Sequence, residues 1–278
     1  MSQNSRKLVF LDIDGTLIPG NHRMTERTKQ ALRRAHDNGH ILCICTGRTY
    51  CEMPEEMKGF EGIISAAGAC VMWKNEVLLT EYFSDKEKQQ VIELLEEAES
   101  IYTLEGFEDL YMRRDVYENF LEVVGGRDEE ERKILELFKR ARFYTGISET
   151  EKVHKCSYFY GERDNDWFRE RLRKWNMSVA AFSQGDARGN CGEITKTAFN
   201  KGSAVRYLSD YLGIPLEDTI AIGDSENDLG MLRTAGVGIA MGNALDYVKE
   251  AADDVTRSVE EEGVYHAFLK YGLITEKN

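Results

Sequence analysis

Proline occurs only three times in 278 residues, so no rigid Pro-rich linker divides the chain. Cysteine appears six times, without a C-x-x-C pair or a His/Cys cluster, and mostly in apolar runs such as ILCIC. That usage argues against a zinc site and suits buried, reduced thiols in a cytosolic protein. Long apolar runs are also missing: no segment reaches the ~18 residues that a membrane helix needs. The opening MSQNSRKLVFLDIDG has a short apolar stretch that stops at acid, unlike a signal peptide or a span. A cytoplasmic location without a membrane partner is therefore expected. Positive charge is outnumbered, 36 Lys and Arg against 49 Asp and Glu, for a net charge of -13. Such an excess repels a polyanion, so nucleic acid is not the expected partner. Phosphate on a small molecule remains admissible where local donors or a metal receive it. Nothing in the sequence sets an oligomeric state.

What is present begins with a 42% hydrophobic composition, enough for a sizeable core, at a length that suggests two domains. KLVFL (7–11), HILCICT (40–46) and GIISAAG (62–68) read as short buried strands. Between the first two lies a helical pattern capped by Thr25 and stopped by Gly39, and a short helix is expected after Arg48. The last third repeats this grammar: a helix over 200–212, the strand TIAIGD (219–224), a helix, then GVGIAMGNA (236–244). Strand alternating with helix predicts a parallel sheet covered on both faces. The middle differs. VMWKNEVLL reads as a hairpin turning at Lys74-Asn75, and Ser84 caps a helix. VHKCSYFYG and MSVAAFSQG read as strands around a helix near DNDWFRERLRKW, and RDEEERKILELFKRA as a helix with a solvated charged face. Residues 1–81 and 191–278 are thus expected to form an α/β domain, a Rossmann-like parallel sheet. Residues 82–190 are expected to form an inserted α+β unit.

Four stations fall at strand ends or at the starts of the helices behind them, where open parallel sheets bind ligands. Asp12 and Asp14, in FLDIDGTL, lie one residue apart on a turn leaving the first strand. Two such carboxylates repel and stay ionised only with a cation or strong hydrogen bonds; hard oxygen donors suit Mg²⁺. Thr16 offers its hydroxyl to the turn. The second station is Thr46-Gly47-Arg48, whose hydroxyl and backbone amides could receive an anion. The third is Lys201, in FNKGSAV. The fourth is GDSENDLGML, where Asp224 ends a strand, Asp228 follows at the helix start, and Asn227 lies between them. Each also has a plain structural reading: an Asp-Gly turn, a helix N-cap, a solvated lysine, a capping box of Ser225 with Asp228.

In this order the stations resemble those of the haloacid dehalogenase-like phosphohydrolases, over essentially the whole chain. The nearest branch is the Cof type, whose α+β cap (the C2B cap) is inserted after the third core strand. DIDGTL and GDSENDLGML carry the resemblance, with TGR and NKG in support. One segment departs from it: members often have Asn-Gly-Ala after the third strand, and here SAAGA places Ala67 where Asn would stand.

The resemblance implies a Mg²⁺-dependent phosphatase that hydrolyses small phosphorylated metabolites, sugar phosphates foremost, through an aspartyl-phosphate. Asp12 would be the nucleophile and Asp14 the general acid and base. Mg²⁺ would be held by the Asp12 carboxylate, the Asp14 backbone carbonyl and Asp224, with Asp228 ligating directly or from behind a ligand. Thr46 and the Gly47 amide would bind phosphoryl oxygens, Lys201 would stabilise their charge and orient Asp12, and Asn227 would contact phosphate or Asp12. Arg48 would line the entrance or make a surface salt bridge. A cap would exclude water and meet the leaving group, with Tyr111, Arg113, Arg114 and Arg188 as candidates no better than ordinary surface residues. Two alternatives share these core residues: a phosphotransferase such as a phosphomutase, and a non-enzymatic phosphate-sensing regulator.

Overall fold

Leu8–Leu11 (β1) is buried along its whole length and carries no polar alternation, as a strand covered on both faces requires. The helix Glu26–Asp37 (α1) follows, capped by Thr25, whose side chain accepts from the Thr28 amide, and burying Thr28, Ala31, Leu32 and Ala35. Next come Ile41–Cys45 (β2), Gly62–Ser65 (β3), Cys70–Trp73 (β4) and Glu76–Thr80 (β5). The computed structural model describes residues 6–20, 23–123, 129–180 and 190–276. It falls into two compact units, one from Met1–Arg48, Pro54–Thr80 and Phe199–Asn278, the other from Thr49–Met53 and Glu81–Ala198.

The second unit contains Asp85–Glu97 (α2), Ile101–Gly106 (β6), Leu110–Arg113 (β7), Arg114–Val123 (α3), Glu129–Phe138 (α4) and Arg142–Tyr144 (β8). Val153–Phe159 (β9), Asn165–Leu172 (α5), Met177–Ala180 (β10) and Gly192–Lys196 (β11) complete it. The first unit resumes with Lys201–Leu212 (α6), Thr219–Gly223 (β12), Leu229–Thr234 (α7) and Val237–Ala240 (β13). It closes with Asp246–Ala251 (α8), Asp254–Val255 (β14) and Gly263–Lys270 (α9).

The first unit's sheet runs β14-β13-β12-β1-β2-β3-β4-β5. Every pairing from β14 to β3 is parallel, and β4 and β5 extend the sheet antiparallel. The expected parallel core is therefore a mixed sheet with a hairpin on one edge. Lys74 and Asn75 turn that hairpin with φ of 49° and 67°, the left-handed pair that matches strand twist in a two-residue turn. Phe10, Cys43, Ile64 and Ala221 pack with Ala204, Val205 and Leu208 of α6 in one continuous core.

Among the described residues the second unit has a six-stranded sheet in the order β10-β11-β9-β6-β7-β8. Tyr102, Leu104, Cys156, Tyr158 and Ile194 pack with Val91 and Leu95 of α2 and Phe168 and Leu172 of α5. Residues of opposite parity in these strands, Thr103, Glu105, Lys155, Ser157 and Glu193, take the other face. There Lys155 is buried between Glu105 at 2.9 Å and Glu193 at 2.5 Å. β6, β7 and β8 escaped the sequence reading, and β11, counted there with the core, pairs with β9 and β10. Of MSVAAFSQG, 181–185 lie outside the described residues, as does Arg188. Tyr111 is core, Arg113 is paired with Glu96 and Asp115, and Arg114 lies over the Phe143 ring. Among the described residues no helix is long and apolar enough to cross a membrane.

His154 gives this unit a pH signature. Its Nδ1 lies 2.8 Å from the Glu81 carbonyl and so carries the proton, while Nε2 is buried without a partner. Burial drives its pKa down from 6.5 to about 4, with the Lys155 charge adding to the fall. The folded form thus rejects a proton that the unfolded chain takes up below pH ~6.5, so stability drains between that pH and ~4 and is level above it. The expected loss is about 3 kcal/mol, at ~1.4 kcal/mol per pKa unit. Urea unfolding at pH 7 and pH 4.5 should show it, and His154→Phe should flatten the profile. An equally steep profile in the variant would remove His154 as the cause.

Candidate active site

β1 and β12 are neighbours in the sheet and run parallel, so the residues after them emerge side by side. Asp12 follows β1 and donates its amide to the Ile222 carbonyl at 3.1 Å; Asp224 follows β12. Asp228 turns back over this point, its Oδ2 accepting from the amides of Asp224 and Ser225, each at 2.9 Å, and from the Ser225 hydroxyl. The capping reading of Asp228 is thus correct for one oxygen. The other, Oδ1, receives Lys201 Nζ at 2.6 Å, while the same ammonium reaches Asp12 Oδ1 at 2.7 Å. Lys201 is 1% exposed, Asp12 4% and Asp228 0%, so this lysine is no solvated side chain. It is aimed by the start of α6, where Asn200 caps the helix by accepting from the Ser203 amide.

Asp12, Asp224 and Asp228 each offer a carboxylate oxygen within 4.8 Å of the others. Burial, then the charge of Asp228, raises Asp12 well above the usual carboxylate range, with Lys201 opposing. Burial and Asp228 likewise push Asp224 up to about 7, against a hydrogen bond from Thr16. Burial pulls the Lys201 ammonium down, but Asp12 and Asp228 outweigh it and leave its pKa above its ordinary value. Three buried carboxylates against one ammonium form an acid-rich cluster whose ionised state needs further positive charge. All-oxygen donors of this hardness fit a divalent cation such as Mg²⁺ and do not favour a soft transition metal.

The DIDGT turn is fixed from several directions. Thr16 donates not within its own turn, as the sequence suggested, but to Asp224 Oδ1 at 2.9 Å. Asn243, which sequence reasoning passed over, donates to the Gly15 carbonyl at 2.9 Å and accepts from the Val259 amide. Gly15 has φ +83°, and a Cβ there would stand 2.3 Å from Asp224 Oδ2. Gly15→Ala should therefore lower stability by about 2 kcal/mol, strain and displacement together, and weaken cation binding. Thermal melting with and without Mg²⁺ reads both effects; an unchanged cation-induced shift would mean that Asp224 tolerates displacement.

Asp14 stands apart from the triad. Its carboxylate is held by Arg48 through two hydrogen bonds, Nε to Oδ2 and Nη2 to Oδ1, each 2.7 Å. Thr46 is buried, its hydroxyl accepting from the Arg48 amide at 3.2 Å, and Gly47 is buried beside it. This loop rests on the segment after β3, where the Ala67 amide donates to the Thr46 carbonyl and that of Ala66 to the Arg48 carbonyl. Ala66, Ala67 and Gly68 all take left-handed conformations, with φ of 50°, 54° and 106°. Asn occupies that region at lower cost than Ala, which gives position 67 a backbone reason to favour it. Asn227 is half-buried and accepts from the Ser225 hydroxyl at 2.9 Å; of its two expected partners, phosphate and Asp12, the second is not bonded to it among the described residues.

A family model for haloacid dehalogenase-like hydrolases matches residues 9–268. Over 272 residues the chain is 29% identical to YitU of Bacillus subtilis, a 5-amino-6-(5-phospho-D-ribitylamino)uracil phosphatase, covering 95% of this chain and 97% of YitU. The phosphatase YwpJ of the same organism is also 29% identical, over 279 residues, with 94% and 98% covered. Among solved structures, the subclass IIB sugar phosphatase BT4131 matches at a TM-score of 0.78 and 24% identity, with 96% and 100% covered, a likeness of fold. With a mixed core sheet interrupted by an inserted second sheet, and acidic residues gathered at the ends of β1 and β12, the chain belongs to the haloacid dehalogenase-like hydrolases, as a Cof-type phosphatase of small phosphorylated molecules.

Proposed function

We propose that the protein is a Mg²⁺-dependent phosphatase that hydrolyses sugar phosphates and related polyol phosphates through an aspartyl-phosphate on Asp12. The observation that carries this reading is the buried Lys201 bridging Asp12 and Asp228, with Asp224 alongside. Lys201 holds one Asp12 oxygen, which leaves the other to attack phosphorus. A bond forms from that oxygen to phosphorus as the ester P–O bond breaks. The departing alkoxide takes a proton from Asp14. Water then attacks the phosphoryl group, gives its proton back to Asp14, and the Asp12–phosphorus bond breaks to release inorganic phosphate. Thr46 and the Gly47 amide orient the phosphoryl oxygens, and Lys201 stabilises their charge. Asp12, Asp224, Asp228 and the Asp14 carbonyl would hold Mg²⁺, which supplies the positive charge that lets a carboxylate approach an anionic ester. The substrate class is supported by YitU, whose substrate carries a phosphorylated ribityl chain, and by BT4131, a sugar phosphatase. Six free cysteines accord with action in a reducing cytoplasm.

Phosphate release across sugar phosphates, nucleotides and vitamin phosphates, with and without Mg²⁺, tests the reading; turnover confined to nucleotides would overturn the substrate class. Cation binding can be followed without substrate. In metal-free protein Asp224, near 7, holds a proton at pH 6 that Mg²⁺ must displace. Saturating Mg²⁺ should therefore raise the melting temperature by several degrees, and more at pH 8 than at pH 6. A shift independent of pH would show that Asp224 is not a ligand.

A further inference from the structure

We infer that Arg48 is the positioning residue of Asp14: its guanidinium holds the Asp14 carboxylate aside in the resting site and releases it by exchanging it for the phosphate dianion of an arriving substrate. This rests on the proposed reading of Asp14 as acid and base. Three observations support it. The pair is bidentate, so both Asp14 oxygens are directed at Arg48 rather than at the triad, although Asp14 is close enough for its charge to act on Asp12 and Asp224. The Arg48 backbone is pinned at both ends, its amide on the Thr46 hydroxyl and its carbonyl on the Ala66 amide, so an exchange of partner falls to the side chain. The two side chains are 35% and 38% exposed, unlike the sealed Lys201 pairs, so an incoming anion meets this ion pair before the interior ones.

The exchange follows from guanidinium chemistry. The fork that grips a carboxylate by two parallel N–H bonds grips a phosphate dianion in the same way, with more charge to attract it. A half-exposed ion pair stays open to exchange, so a dianion placed by Thr46 and Gly47, two and one residues earlier in the chain, competes with Asp14 for the guanidinium. One movement would then supply the phosphate with a cation and free the Asp14 carboxylate, no longer held ionised by the guanidinium, to take a proton from water and turn toward the ester oxygen. An empty site keeps its acid parked.

Two measurements test this on the full-length protein. The first is the NMR signal of the Arg48 Nε–H, identified by its loss in Arg48→Lys, during titration with inorganic phosphate. The signal should shift as the partner changes; an unmoved signal at saturating phosphate overturns the proposal. The second compares kcat/KM for 4-nitrophenyl phosphate, whose leaving group departs without a proton, and glucose 6-phosphate, whose leaving group needs one. Arg48→Gln lowers both by weakening phosphate binding, but lowers the sugar ester further because Asp14 is misplaced. The ratio of the two should rise about tenfold, with Arg48→Lys intermediate. An unchanged ratio makes Arg48 a phosphate ligand only and also overturns the proposal. Wild-type protein inert toward both esters would sink the reading of the site instead, and the NMR titration then decides Arg48 by itself.

Discussion

Asp12→Asn is expected to lower turnover by about 10⁴-fold or more while leaving a folded protein. The amide keeps the shape of the carboxylate and is a far poorer nucleophile toward phosphorus. The fold should survive because the substitution removes one of three crowded negative charges. Burial and Asp228 both work against an ionised Asp12, so its neutral replacement is electrostatically easier to bury. Lys201 keeps Asp228 at 2.6 Å as its counter-ion. Melting temperature should hold or rise in metal-free protein, and the gain on adding Mg²⁺ should shrink. Single-turnover phosphate release with mass analysis of the protein is the check: wild type yields a transient adduct of one phosphoryl group, and the variant yields none. Substantial steady turnover in the variant would mean that another group attacks phosphorus.

Lys201→Met carries the largest expected stability effect. Methionine fills the space but leaves Asp12 and Asp228 buried side by side without a cation, and breaking a buried pair in this one-sided way costs about 3–5 kcal/mol. Turnover should fall by about 10³-fold, since the charge that steadies the phosphoryl oxygens is lost with the group that orients Asp12. Two features separate this from ordinary core damage. Mg²⁺ should recover part of the lost stability, because it supplies charge to the same carboxylates. Adding Asp228→Asn should recover part as well, which a merely mispacked methionine would not allow. Urea unfolding of the single and double variants decides the matter, and additive losses would refute the coupling.

Much of the fold was legible because its signals are local. Each buried core strand announces itself as a short apolar run, and Thr25, Ser84 and Asn200 cap helices where the chain offers a hydroxyl or amide. The stations were legible for the same reason: chemistry placed at strand ends writes acid, hydroxyl or lysine directly after an apolar run. What stayed hidden depends on pairing across the chain. Thr16 finds Asp224, Asn243 finds Gly15, and Arg48 finds Asp14, and no neighbouring residue advertises those partners. β6 was missed because the strand alternates a core face with Thr103 and Glu105, a polar face that is itself buried. β11 was counted with the core because its pairing with β9 and β10 has no local sign in the chain.

The central place of β1 has a consequence for synthesis. This strand is made well before one of its two neighbours, β12, which pairs Thr219 with Leu8. As the nascent chain leaves the ribosome, β1 can dock on β2 early but must wait until β12 has been made before its other edge is covered. Until then LVFLDI is an apolar ribbon with an open side, the kind of surface that chaperones shield. A message cut short before β12 would yield a sticky fragment and no partial activity, because Asp224, Asp228 and the closing edge arrive together.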